Sequence, residues 1–164
     1  MKVIDNFLPE KEFESIHSLL MGYQFPWYYN SIVDYENQIF DIFDLDNYQF
    51  INNLNEDSPV VQPILKKLKT DKIVRIKANL NPRTPEVIRR KFHIDTAEKC
   101  KTSVFYINTN NGWTEFEDGS KVESVGNRMV IFDSHIKHTG TTCTNQKTRV
   151  VINFNYYEGW ISLG

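Results

Sequence analysis

In RVVINFNYY, residues 149–157, Val150, Ile152, Phe154 and Tyr156 alternate with Arg149, Asn153 and Asn155. Only an extended strand sorts such a run into an apolar face and a polar one. The apolar face belongs to a core, and the polar face is left for solvent or for a site. KIVRIKANL at 72–80 repeats the pattern, with Val74, Ile76, Ala78 and Leu80 opposite Arg75, Lys77 and Asn79. TSVFYIN at 102–108 alternates in the same way, and RMVIFD at 128–133 adds a further strand. Asn111-Gly112 and Asp118-Gly119 bracket WTEFE and precede KVESV, which predicts hairpins. Upstream, PEKEFESIHSLLM at 9–21 opens with Pro and Glu, spaces Phe13, Ile16, Leu19 and Leu20 helically, and stops at Gly22. A second helix is predicted within 58–69, SPVVQPILKKLK, where Pro63 makes Gln62 as good a start as Ser58. Residues 23–57 are aromatic-rich and acidic without a clear period, so they receive no element. The expected class is α+β: two N-terminal helices, then six or more antiparallel strands rolled into a small barrel or sandwich.

The chain has 164 residues, 40% of them hydrophobic, enough for one sizeable core, and 1–164 is read as a single domain. Cys100 and Cys143 form no CxxC spacing, which excludes a disulfide scaffold and a Cys-based zinc module. No run approaches the apolar length of a membrane span, and MKVIDNFLPEKEFES reaches Asp5 before any apolar stretch develops. A cytoplasmic protein without a membrane partner is expected. The net charge of −2 hides an asymmetry. Residues 1–60 carry 11 acids and 2 bases, whereas residues 61–101 carry 12 bases and 4 acids. The basic stretch can face an anionic polymer, but oppositely charged stretches that lie near each other or solvate different faces are the stronger reading.

Four histidines are available. His17 sits beside Ile16 on the amphipathic helix and suits packing or surface. His93 and Asp95, in HID, stand two apart on an extended backbone and so share a face. A third ligand is supplied after RMVIFD by His135 or His138. Two neutral imidazoles and a carboxylate on one side of a metal make the facial triad of non-haem Fe(II), which leaves positions open for dioxygen and a bidentate 2-oxo acid. The far carboxylate of such a cosubstrate needs a fixed cation, and the planar guanidinium of Arg149 suits it. Tyr106 shares a face with Val104 and Asn108, and its hydroxyl can donate to the same carboxylate. HxD alone is a weak signal. HxD followed by a histidine after a strand and an arginine on the next strand is a much stronger one.

FHID, SVFYINTNNGWTEFEDG, NRMVIFDSHIKHTG and TRVVINFNYY stand in the order shown by the 2-oxoglutarate/Fe(II)-dependent dioxygenases, and the chain resembles their prolyl-4-hydroxylase-like branch. VIDNFLPEKEFESI is similar to the opening helix of small members of that branch, many of them carried by bacteriophages. The resemblance implies a double-stranded β-helix, or jelly roll, with N-terminal helices packed outside. It implies His93, Asp95 and His138 as iron ligands, with His135 left at a pocket rim or the surface. It implies Arg149 as the partner of the 2-oxoglutarate C5 carboxylate, with Tyr106 assisting. The cofactors implied are Fe(II), 2-oxoglutarate and O2, with ascorbate as a candidate reductant. Some relatives carry a tyrosine in the strand before HxD, whereas this chain reads KANLNP, which makes Lys77 or Asn79 a candidate substitute.

The implied activity is oxidative decarboxylation of 2-oxoglutarate to succinate and CO2, coupled to hydroxylation of a substrate, with a peptidyl proline favoured. A small molecule or a nucleic acid remains open, since fold does not choose among them. FPWYY at 25–29 can stack on a proline ring or a base, although aromatics near a helix end are more often core. The rival reading is a non-catalytic, cupin-like jelly-roll module that binds a metal or a sugar; a structural or viral interaction role is a third.

Overall fold

The computed structural model describes residues 1–33 and 45–159. Strand β1 (Lys2–Ile4) leads into α1 (Glu10–Met21), and β2 (Tyr28–Asn30) and β3 (Gln49–Asn53) precede α2 (Gln62–Leu68). There follow β4 (Thr70–Pro82), β5 (Lys101–Tyr106), β6 (Trp113–Phe116), β7 (Lys121–Glu123), β8 (Arg128–Asp133), β9 (His138–Gly140) and β10 (Thr148–Glu158). Seven strands form one sheet in the order β1-β8-β5-β10-β4-β3-β2, and three form a second in the order β7-β6-β9. All pairings are antiparallel. Two isolated bridges, Arg89↔Thr141 and His93↔His138, extend the smaller sheet past β9. The architecture is the expected α+β double-stranded β-helix.

The alternation in β10 divides two cores. Val150, Ile152, Phe154 and Tyr156 join Ile16 and Leu20 of α1 and Ile64, Leu65 and Leu68 of α2 in the layer beneath the helices. Val151 faces the other way, into a cluster of Val104, Tyr106, Val130 and Phe132 from the large sheet with Phe116 and Val122 from the small one. Truncating a fully buried member such as Ile152 to alanine costs about 2–5 kcal/mol.

The helices follow their sequence signals. Glu10 and Glu12 occupy the first turn of α1, where acidic groups complement the dipole. Ile16 and Leu20, four apart, are buried, whereas Leu19 is rotated off that face and exposed. The second helix takes the later of its two starts, with Pro63 in the first turn, where it has no N–H to forfeit.

Three differences from the sequence reading are physical. Register between β4 and β10 shifts beyond Asn155↔Arg75 so that Tyr156 pairs with Ile73. This bulge displaces Val74 from the core face, and Ile73 packs there instead. Asn111-Gly112 makes no hairpin, because the chain crosses there from the large sheet to the small one. Gly112 is small for another reason: a Cβ would lie 2.6 Å from Cδ of Arg149 and 2.7 Å from the Thr142 carbonyl oxygen. By contrast, Asp118-Gly119 does turn β6 into β7, with Gly119 at φ +86°. Finally, β1, β2, β3 and β9 lie outside the predicted strands; they are short, and β2 and β3 arise in the stretch without period.

Candidate active site

The HID segment runs antiparallel to the start of β9. His93 N–H donates to the His138 carbonyl and His138 N–H to the His93 carbonyl, each at 3.0 Å. Residues paired in this way project to the same side of the sheet, and the two imidazole centroids stand 5.0 Å apart. Ile94 points outward and Asp95 returns to the inner side, its side chain 4% exposed. One ligand atom from each of His93, Asp95 and His138 lies within 4.8 Å of the others. His135, three residues before His138, is exposed and outside this group.

Each ring is oriented by its other nitrogen. His93 Nδ1 meets the Lys91 carbonyl at 3.0 Å, and His138 Nδ1 meets the Ile136 carbonyl at 3.3 Å. An Nδ1–H donating to a carbonyl leaves the Nε2 lone pair for a metal. Those Nε2 atoms face Asp95, at 3.4 Å from Oδ1 for His93 and 3.7 Å from Oδ2 for His138. Phe132 backs the His138 ring at 4.8 Å. Burial lowers the His138 pKa, which favours the neutral, ligating imidazole. Burial alone would raise the Asp95 carboxyl, but the His93 and His138 rings that face it and the Arg75 cation outweigh it and hold the group below the ordinary carboxylate range. Buried His138 Nε2 and Asp95 Oδ2 have no hydrogen-bond partner. Orphaned lone pairs of this kind are costly unless a ligand satisfies them, so the set fits a divalent ion such as Fe(II).

Arg149, on β10, reaches the same cavity, which has a volume of about 460 Å³. Only 2% of this residue is exposed. Its Nε donates to Ser124 Oγ at 2.8 Å and its Nη2 to Thr114 Oγ1 at 3.3 Å. None of these partners is charged, and among the described residues no carboxylate pairs with it. Burial accordingly pulls its pKa down. Gly140 opens the space above the guanidinium, since a Cβ there would stand 3.2 Å from Nη1. Tyr106 lies beneath: its ring is 5.7 Å from the Arg149 guanidinium carbon, and its hydroxyl donates to Thr114 Oγ1 at 2.7 Å. The tyrosine therefore meets the arginine through Thr114 and is not part of the cavity wall.

On β4, Arg75, Lys77, Asn79 and Asn81 all line the cavity, as their shared strand face requires. Arg75 Nη2 is 3.3 Å from Asp95 Oδ1. This contact was not foreseen, nor were Thr114 and Ser124. Arg75 was legible only as a member of a polar face. The FPWYY residues do not line the cavity: Phe25 and Trp27 pack edge to face at 4.9 Å, and Tyr28 and Tyr29 are exposed. The basic stretch spreads over several surfaces. Lys67 covers the Phe7 ring, Lys72 covers Tyr157, Arg89 meets Glu115, and Arg75 and Lys77 turn inward. Among the described residues, no helix is long and apolar enough to cross a membrane.

No protein-family model and no curated protein matches the chain. Solved structures do. A prolyl-4-hydroxylase from Pseudomonas putida superposes with a TM-score of 0.64 at 14% identity, over 96% of this chain and 92% of that one. A prolyl hydroxylase from Trichoplax adhaerens, in complex with a peptide of hypoxia inducible factor, gives 0.62 at 16% identity over 96% and 83%. The alpha-ketoglutarate-dependent epimerase SnoN of nogalamycin biosynthesis, solved with Fe3+ and alpha-ketoglutarate, gives 0.65 at 9% identity over 95% and 78%. The fold is thus that of the 2-oxoglutarate/Fe(II)-dependent oxygenases, and it hosts more than one reaction. The His-Asp-His group is consistent with Fe(II) and 2-oxoglutarate.

Proposed function

We propose that this protein is a 2-oxoglutarate-dependent Fe(II) dioxygenase that hydroxylates a peptidyl proline. The observation that carries the reading is the buried Arg149 guanidinium, held by neutral groups and opening onto the cavity that contains His93, Asp95 and His138. A buried cation without a counter-charge is costly, and the C5 carboxylate of 2-oxoglutarate removes that cost. His93, Asp95 and His138 would hold the iron, which when bound with 2-oxoglutarate and O2 supplies the oxidising power for inserting oxygen into a substrate C–H bond. Arg149 receives the cosubstrate tail. Ser124 and Thr114 hold the guanidinium, and Tyr106 holds Thr114, so the clamp is set before the cosubstrate arrives. Arg75 keeps Asp95 ionised and oriented. Phe132 and Phe116 exclude water behind His138. The peptidyl substrate draws support from the prolyl hydroxylases that share the fold, one of them holding a peptide.

The test is anaerobic titration with Fe(II) and then 2-oxoglutarate, followed by O2 and a proline-containing peptide. A visible metal-to-ligand charge-transfer band that fades on oxygenation, with succinate and hydroxyproline formed, is the expected result. Iron binding without the band would instead favour a metal-binding, cupin-like module. Succinate formation without hydroxyproline would remove proline and keep the dioxygenase.

A further inference from the structure

Lys77 stands in the middle of the polar face of β4, between Arg75 and Asn79, and pairs across the sheet with Asn153 of β10. All four line the cavity. Their bonding states differ. The Arg75 guanidinium is engaged by Asp95 through Nη2, while its buried Nε has no hydrogen-bond partner. The half-buried Lys77 ammonium has no hydrogen bond and no ion pair among the described residues. Asn79, 6% exposed, and Asn153 each keep a buried Oδ1 without a partner. A cation and two amide acceptors thus share one patch of wall with nothing to bind.

Charge matching identifies what belongs there. On the dioxygenase reading, on which this inference rests, Fe(II) offsets Asp95 and one carboxylate of 2-oxoglutarate, and Arg149 offsets the other. The cations of Arg75 and Lys77 remain in excess. Arg75 already lies against Asp95, and Arg90 and Lys91, also on the wall, have partners of their own, so Lys77 is left to meet a negative charge on the substrate. A phosphate would call for converging cations, whereas Arg75 is engaged by Asp95 and Arg90 by the Asp46 and Tyr48 carbonyls. A carboxylate needs only one ammonium. The unpartnered Asn oxygens accept hydrogen bonds, which suits N–H groups next to that carboxylate. Carboxylate and N–H side by side are the signature of an amino-acid unit.

We propose that the substrate carries a carboxylate near the carbon to be oxidised, received by Lys77, while Asn79 and Asn153 accept from adjacent N–H groups. The carboxylate can come from an acidic residue beside the target in a peptide or from the α-carboxylate of a free amino acid. The patch selects the shared chemistry.

The experiment measures binding, without turnover, to anaerobic protein loaded with Mn(II) and the inert analogue N-oxalylglycine. The probes are a peptide with Glu beside proline, its Gln counterpart, and free L-proline against L-prolinamide. Wild type is expected to prefer the carboxylate member of one pair by about tenfold or more; the pair that responds names the source. Lys77→Gln is expected to abolish that preference and Lys77→Arg to keep it. Equal binding within both pairs, no binding of either carboxylate probe, or a preference unchanged in Lys77→Gln overturns the proposal. In parallel, Fe(II) and 2-oxoglutarate are titrated into both proteins. A wild-type charge-transfer band with no carboxylate preference defeats this proposal alone, and a missing wild-type band defeats the dioxygenase reading beneath it. A band in Lys77→Gln that needs much more 2-oxoglutarate makes Lys77 a cosubstrate ligand and also overturns the proposal.

Discussion

His93 and His138 are hydrogen-bonded to each other twice through their backbones, at 3.0 Å in both directions, so the ring spacing of the candidate metal site is set by a sheet and not by a loop. Because this pairing uses main-chain atoms, alanine at either position leaves the bridge intact. We expect His138→Ala and Asp95→Ala to fold and to lose Fe(II) affinity by about 100-fold or more, while His135→Ala binds as wild type. Anaerobic metal titration with folded state checked by circular dichroism decides it. Loss of metal in His135→Ala would move the third ligand.

On the proposed assignment, Arg75 acts on the metal through Asp95. Removing its charge in Arg75→Gln leaves the buried Asp95 carboxylate with weaker orientation. The expected cost is about 10–100-fold in Fe(II) affinity, with 2-oxoglutarate affinity at saturating iron changed much less. The same titration, read separately for metal and cosubstrate, tests it.

The two glycines that approach Arg149 should respond differently. A methyl at Gly140 meets only the guanidinium, so Gly140→Ala is expected to weaken 2-oxoglutarate binding while thermal stability holds. A methyl at Gly112 meets the Thr142 backbone as well as the arginine stem, and Gly112→Ala is expected to lose about 1–3 kcal/mol of stability. Arg149→Gln should weaken 2-oxoglutarate by about 100-fold and retain iron. Unfolding curves beside cosubstrate titrations separate the three.

An alkaline limit follows from Tyr156. Its hydroxyl, pushed up to about 12 chiefly by burial and bonded to Ser103 at 2.9 Å, ionises less readily folded than unfolded. The stability this contributes is complete below pH 10 and is lost as pH climbs toward 12, a change of about 2–3 kcal/mol. Tyr156→Phe should flatten that decline in chemical denaturation between pH 9 and 12; an equally steep decline would assign it to another group.

How much the sequence discloses depends on the range of the interaction. Period-two alternation records burial residue by residue, so β10 and most of β4 were legible, with the polar face on which Arg149, Asn153, Arg75, Lys77 and Asn79 line the cavity. A bulge breaks that record silently: nothing local marks Val74 as the extra residue. Three-residue strands such as β1 carry too few alternations to register. Contacts between distant segments, such as Arg75 with Asp95 or Arg149 with Ser124 and Thr114, leave no periodic trace. Gly112 shows the same limit from the other side: its dipeptide reads as a turn, while its smallness answers to an arginine 37 positions later in the chain.

On the proposed assignment, the neutral cradle of Arg149 also ties folding to metabolism. A chain that buries a guanidinium among hydroxyls is weakest when no anion is present. On the proposed assignment, 2-oxoglutarate at 100 times its Kd adds about 2.7 kcal/mol to the folded state. The lifetime of the protein against proteases would then rise and fall with the supply of its own cosubstrate.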